Sequence, residues 1–206
     1  MKAIRSRKVG SAVRARPGRA IVWGAALLTT ATAGGGVVAG SADASAGARL
    51  SPAAEAGSCS LVAPSAVAKV IGHPVLLPTT QTQHVTIDSQ RDVSADQTAC
   101  RFDLAHSGSF VAFVFETLSK PLPLGVLWQD LKASALASLP SRAKYKSSPL
   151  KGLSVPAYIV RESGPGIAVS AIIALNGEKV CGPELPWSAP ANELASLARL
   201  AISKFM

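Results

Sequence analysis

The chain has 206 residues and a formal net charge of +9, from 21 Lys and Arg against 12 Asp and Glu. Seven of the basic residues (Lys2, Arg5, Arg7, Lys8, Arg14, Arg16, Arg19) fall at the very start, and from Ser45 onward 14 cations face 11 acids, leaving +3. The basicity therefore belongs mainly to the N-terminus, whereas a nucleic-acid partner needs it on the folded domain, so no nucleic acid is expected.

After the basic segment comes an uncharged stretch, Ala20 to Ala42, and then the small residues of Ser41-Ala42-Asp43-Ala44-Ser45-Ala46. This is the order of an export signal: a positive n-region, an apolar h-region, and A-x-A cleavage sites at Ala42/Ala44, Ala44/Ala46 and Ala46/Ala48. Thr29, Thr30, Thr32 and Gly34-Gly35-Gly36 dilute the h-region, which favours cleavage over a permanent anchor. An uncleaved segment would still leave the domain facing outward. Residues 1–44 are thus expected to be a signal peptide or an N-terminal membrane anchor, and the protein secreted or otherwise extracytoplasmic. Residues 45–58, rich in Ala, Ser, Gly and Pro, read as a flexible leader. Ala56-Gly57-Ser58 before Cys59 does not make a lipobox. Residues 59–206 are long enough for one domain with a sizeable core.

Within that domain, Ala63 to Pro74 reads as a short helix with its stop, Pro64 in the first turn, Val67, Val70 and Ile71 on one apolar face, and Gly72 and Pro74 ending it. The polar stretch Pro78 to Thr98 offers one weak strand, His84–Asp88. Cys100, Phe102 and Leu104 alternate with polar residues, as in a half-buried strand. Phe110–Phe115 is apolar on both faces and should lie centrally in a sheet, paired with the strand before it. Leu124, Leu127, Trp128, Leu131 and Ala135 fall at helical spacing between Pro123 and Pro140. Strands return at Val155–Val160 and Ile167–Leu175. Asn176-Gly177 then makes a hairpin with Glu178–Cys181, which requires both turn residues at positive φ. Leu194, Leu197, Ala198, Ala201, Ile202 and Phe205 stripe a final helix from about Pro190. The expected class is α+β: an antiparallel sheet with helices packed on it, sandwich-like, in the order α-β-β-α-β-β-β-α.

The chemistry-bearing residues are few. Cys59, Cys100 and Cys181 are an odd set in an exported chain, with three possible pairings and one thiol left over. His73, His84 and His106, with Asp88, Asp92 and Asp96, lack the spacing of a zinc or calcium site, so no metal is expected. S-x-x-K occurs at Ser141/Lys144 and Ser148/Lys151 without the companion motifs of a serine acyl-enzyme. No phosphate or dinucleotide loop is present, and no cofactor and no catalytic residue is assigned. Trp128 reads as core, while Trp187 is freer to meet a ligand. Arg142, Lys144, Lys146 and Lys151 surround Tyr145 in an expected loop, a possible contact for an anionic surface.

Three segments carry a resemblance. They are Cys59-Ser60-Leu61-Val62 leading to Val70-Ile71-Gly72-His73-Pro74-Val75, then Thr98-Ala99-Cys100-Arg101-Phe102, then Lys151-Gly152-Leu153-Ser154-Val155-Pro156-Ala157-Tyr158. With the C-terminal amphipathic helix, this layout resembles a family of actinobacterial cell-envelope proteins, many of them lipoproteins, known as a domain of unknown function. The chain departs from that pattern in lacking a lipobox and in having Cys181. The resemblance implies an envelope location and a Cys59–Cys100 disulfide, but no reaction. The expected function is a non-catalytic envelope domain that binds an unknown envelope protein, lipid or polymer. The rival is a secreted hydrolase whose site no motif reveals.

Overall fold

A computed structural model describes residues 59–88, 91–139 and 142–206. The expected export segment and leader lie outside them. Among the described residues no helix is long and apolar enough to cross a membrane. A 3-10 turn, Cys59–Leu61, precedes α1 (Pro64–Ile71). Pro64 opens α1, where its missing N–H costs nothing, and Gly72 closes it at φ 75 with its N–H on the Ala68 carbonyl. Then follow β1 (Thr79–Asp88), β2 (Val93–Asp103), β3 (Phe110–Leu118), α2 (Leu124–Ser138), β4 (Lys144–Leu150), β5 (Ala157–Gly164), β6 (Ile167–Asn176), β7 (Lys179–Leu185) and α3 (Ala191–Phe205).

The seven strands form one sheet in the order β1-β2-β3-β7-β6-β5-β4, and every neighbouring pair is antiparallel. Among the described residues the class is therefore α+β, with three α-helices on an antiparallel sheet, but the order expected from sequence needs two corrections. The polar stretch Pro78 to Thr98 is a long hairpin rather than a loop with one weak strand. Thr79 faces Arg101 at one end of the hairpin, and Thr86 faces Ser94 near the other. Its Thr and Gln residues hid it because the outer strand of a sheet carries polar residues on both faces, so no alternation appears. The second correction is the expected basic loop, which is the edge strand β4. The true order is α-β-β-β-α-β-β-β-β-α.

The Asn-Gly hairpin is present with its turn moved by one residue. Asn176 pairs with Lys179, so Gly177 and Glu178 are the central residues. Only Gly177 has positive φ, at 63, and glycine alone at the first central position is the type II′ pattern.

Alternation along the strands builds a core on each face. On one side Phe102, Val111, Phe113, Phe115, Ile159, Ile172 and Leu185 meet Val67 of α1 and Leu194, Leu197 and Ala201 of α3. The buried leucines of α3 each contribute about 2 kcal/mol, which explains why this helix is the best-patterned one in the sequence. On the other side Val160, Ile173, Leu175 and Val180 meet Leu127, Trp128 and Leu131 of α2. Trp128 stacks on Tyr158 at 4.3 Å between ring centroids.

β7 holds two residues unusual for the middle of a sheet. Pro183 has no N–H to give a neighbouring strand, and its segment approaches β6 closely. A methyl placed on Gly182 would lie 1.6 Å from the Ile172 carbonyl oxygen. Glycine is required there by contact, not by φ.

Candidate functional site

The structure joins Cys59 to Cys100 by a disulfide with Cα atoms 5.5 Å apart, tying the entry of the domain to β2. Thr80 on β1 donates its hydroxyl hydrogen to the Cys59 sulfur. Cys181 is free and buried, and burial pushes its thiol up to about 12. A thiolate nucleophile there would have to form against that cost.

The histidines and aspartates of the abandoned metal reading are spread over three places. His73 follows α1, and His106 sits at φ 67 in the β2–β3 turn. His84 lies on β1 directly opposite Asp96 on β2, with Nδ1 2.8 Å from the carboxylate. Those two side chains are 66% and 85% exposed, so the pair lies open to water rather than in a cleft. Asp88 is buried at the end of β1 and pairs with Arg91, which also lies 3.9 Å from Asp130 of α2. Desolvation, and then the charge of Asp88, hold Asp130 above its ordinary range. Among the described residues no three His, Cys, Asp or Glu converge as a metal site.

The basic residues are arranged by the β4–β5 hairpin. Ile159 of β5 faces the α3-side core, and Leu150 of β4 packs against it. The side-chain period of two therefore places Lys144, Lys146 and Ser148 on that same side of β4. Register adds a residue that the sequence reading missed, because Lys146 stands directly opposite Arg161 and Lys144 opposite Ser163. Arg161 in turn faces Ser170 of β6, whose hydroxyl accepts the N–H of Ala189 at 3.1 Å, just before α3. On the other flank, Arg199 of α3 donates to the Gly152 carbonyl at 3.3 Å.

The result is a basic stretch along the hairpin, which α3 meets near Gly152 through Arg199. Lys144, Lys146 and Arg161 share one face at one end, Lys151 follows the other end of β4, and Arg199 reaches the backbone there at Gly152. Arg142 comes just before β4 and extends the first end. None of these cations forms an ion pair among the described residues. Glu193 lies in the first turn of α3. The structure thus strings the four predicted basic residues along one edge instead of gathering them around Tyr145, whose ring faces the α2-side core beneath. The S-x-x-K pair Ser148/Lys151 lies along this edge, and Ser141 lies outside the described residues. Of the described tryptophans, Trp128 is core and Trp187 is partly buried against the α3-side core.

The α2 side of the sheet hides carboxyls that sequence reasoning also missed. Gln83, Gln97 and Glu116 stand opposite one another on β1, β2 and β3. The Gln83 amide donates to Gln97, and the Gln97 amide donates to Glu116. The second oxygen of Glu116 has no partner among the described residues. Burial pushes this carboxyl up to about 7, with the Gln97 bond pulling the other way. Glu184 is pushed up to about 8 by burial and then by the charge of Glu162, itself raised by burial. Glu116 faces Val180, four residues along β7 from Glu184, so the two are separated by about 13 Å along the strand. They are two isolated buried acids rather than an acid–base pair. The visible signal was a lone acid in each of two otherwise apolar strands.

Comparison with known proteins finds no family model that matches the chain and no similar curated protein.

Proposed function

We propose that this protein is an exported, non-catalytic binding domain of the cell envelope, and that it holds an anionic envelope component on the basic face of the β4–β5 hairpin. The pair Lys146–Arg161 carries the reading. Like charges directly opposite on neighbouring strands are destabilising. Here they are joined by Lys144 two residues along, with no acid paired to any of them among the described residues. An anion laid between them turns that repulsion into charge-assisted hydrogen bonds, which Arg161 can make in bidentate form.

Export is supported by the n-region, the h-region and the A-x-A sites. The Cys59–Cys100 disulfide agrees with an oxidising compartment. The family resemblance points the same way. Binding rather than catalysis is favoured by the position of the one histidine–carboxylate pair among the described residues, His84–Asp96, on an open face where water screens it.

Co-sedimentation with the envelope fraction of the source cells tests the proposal. Exported wild-type protein should pellet with the envelope at low salt, and Lys146→Glu with Arg161→Glu should leave it in the supernatant. Equal pelleting of both proteins would refute the assignment of the site. The same preparation yields the mature N-terminus, expected between Ser45 and Arg49. An intact Met1 chain in the membrane would mark a permanent anchor instead.

A further inference from the structure

The basic stretch is long, and its cations are not gathered for one small anion. We infer that its ligand is a linear polyanion lying along β4, not a single phosphate or a single lipid head group. The inference rests on the anion-binding reading above and concerns the shape of the ligand.

Strand geometry gives the dimensions. Lys144 and Lys146 are two residues apart on one strand, about 7 Å, and Arg161 lies about 5 Å across from Lys146. From Lys144 to Lys151 the edge runs seven residues, about 23 Å. Arg199 marks that far end through its bond to the Gly152 carbonyl. Between the two ends lies the exposed Ser148, whose hydroxyl can donate to a passing oxyanion. A compact anion seated at Lys144, Lys146 and Arg161 is more than two Debye lengths from Lys151 at physiological salt, about 8 Å each, and gains nothing from it. A chain bearing a charge every 7 Å or so, such as a phosphodiester-linked polyol or a polycarboxylate, meets both ends at once.

The edge strand also suits such a ligand. Pro149 and the lysines of β4 discourage another strand from pairing there, which leaves the outer side of the hairpin open along its length. The basic stretch follows a strand, so its ligand must be extended.

Inorganic polyphosphate is the probe, used as long chains and as tripolyphosphate, with anionic phosphatidylglycerol vesicles as the third arm. Full exported protein should bind long chains at least about tenfold more tightly per phosphate than tripolyphosphate, equivalent to about 1.4 kcal/mol. Lys151→Ala, an exposed position, and the double variant Lys151→Ala/Arg199→Ala should erase that advantage and lower tripolyphosphate affinity by less than Lys146→Ala/Arg161→Ala does. Lys146→Ala/Arg161→Ala should weaken both. Equal affinity per phosphate for the two lengths, or a length preference untouched by both far-end variants, would overturn the linear ligand and leave the anion site standing. Binding to vesicles but not to long polyphosphate would overturn it in favour of a head group. Failure of every probe, or no effect of Lys146→Ala/Arg161→Ala, would remove the anion site itself.

Discussion

Replacing Glu116 by glutamine tests the buried Gln83–Gln97–Glu116 row. The carboxyl rises from 4.5 to about 7 because burial penalises its charge, so the folded protein keeps a proton that the unfolded chain has already lost. Between those values the folded state binds more protons than the unfolded one, and stability must fall as pH rises. The full fall is about 3 kcal/mol, a large share of the 5–15 kcal/mol that typically holds a domain folded. Glutamine keeps the shape and still accepts the Gln97 bond, but it has no charge to bury. At pH 5 the two proteins should agree within about 1 kcal/mol, since each leaves one polar atom without a partner. By pH 8.5 Glu116→Gln should be the more stable by about 3 kcal/mol. Glu184 titrates near 8 in both proteins and cancels in the difference, being too far away to couple strongly. Urea denaturation from pH 5 to 8.5 reads the effect as diverging midpoints. A difference between the two proteins that stays constant across that range would refute the reasoning.

Two further perturbations follow from the fold. Replacing Cys59 and Cys100 together by alanine opens a link across 41 residues, which the chain-entropy model values at about 4 kcal/mol, so the thermal midpoint should drop steeply and reducing agent should no longer shift it. An unchanged midpoint would mean that the bridge does not form in the native protein. Gly182→Ala drives a methyl into the Ile172 carbonyl oxygen at the join of β6 and β7, and should cost about 3 kcal/mol or more. A stable, well-dispersed NMR spectrum with native denaturant resistance would show that the strands are not that close.

What could be read in the sequence depended on one-sided burial. α3 and α1 announce themselves because one stripe is apolar and the other wet, and β3 because it is apolar throughout. The β1–β2 hairpin gives no such sign. At that edge Thr82, His84, Thr86, Ser94 and Asp96 lie on the face that α3 leaves uncovered, while Gln83 and Gln97 fill the other with amides. The basic site was half legible. Lys144 and Lys146 stand out as neighbours in the chain, but Arg161 joins them only through strand pairing, and register is invisible until the strands are placed. Glu116 and Glu184 were in plain view, each one acid in an apolar run. The alternation that places core residues treats such an acid as an interruption rather than as a buried group. Cys59–Cys100 came from the family resemblance, because three cysteines allow three pairings and spacing does not choose among them.

The strand order has a kinetic consequence. β1 to β3 and β4 to β7 are two meanders whose internal pairings join near neighbours in the chain. The sheet becomes continuous only where β3 meets β7, with Thr117 opposite Lys179 and Ala112 opposite Glu184. Those partners lie more than sixty residues apart, and α2 must carry the chain from the middle of the sheet to its far edge before they can meet. Closing so large a loop yields no contacts until late, so docking of the two halves sets the folding rate. The charge-burying Glu116, the close-packed Gly182 and the sealed Cys181 all lie on this seam. Until it closes, each half exposes the phenylalanines or the β6 apolar run to solvent, and the half-formed chain is where aggregation competes with folding.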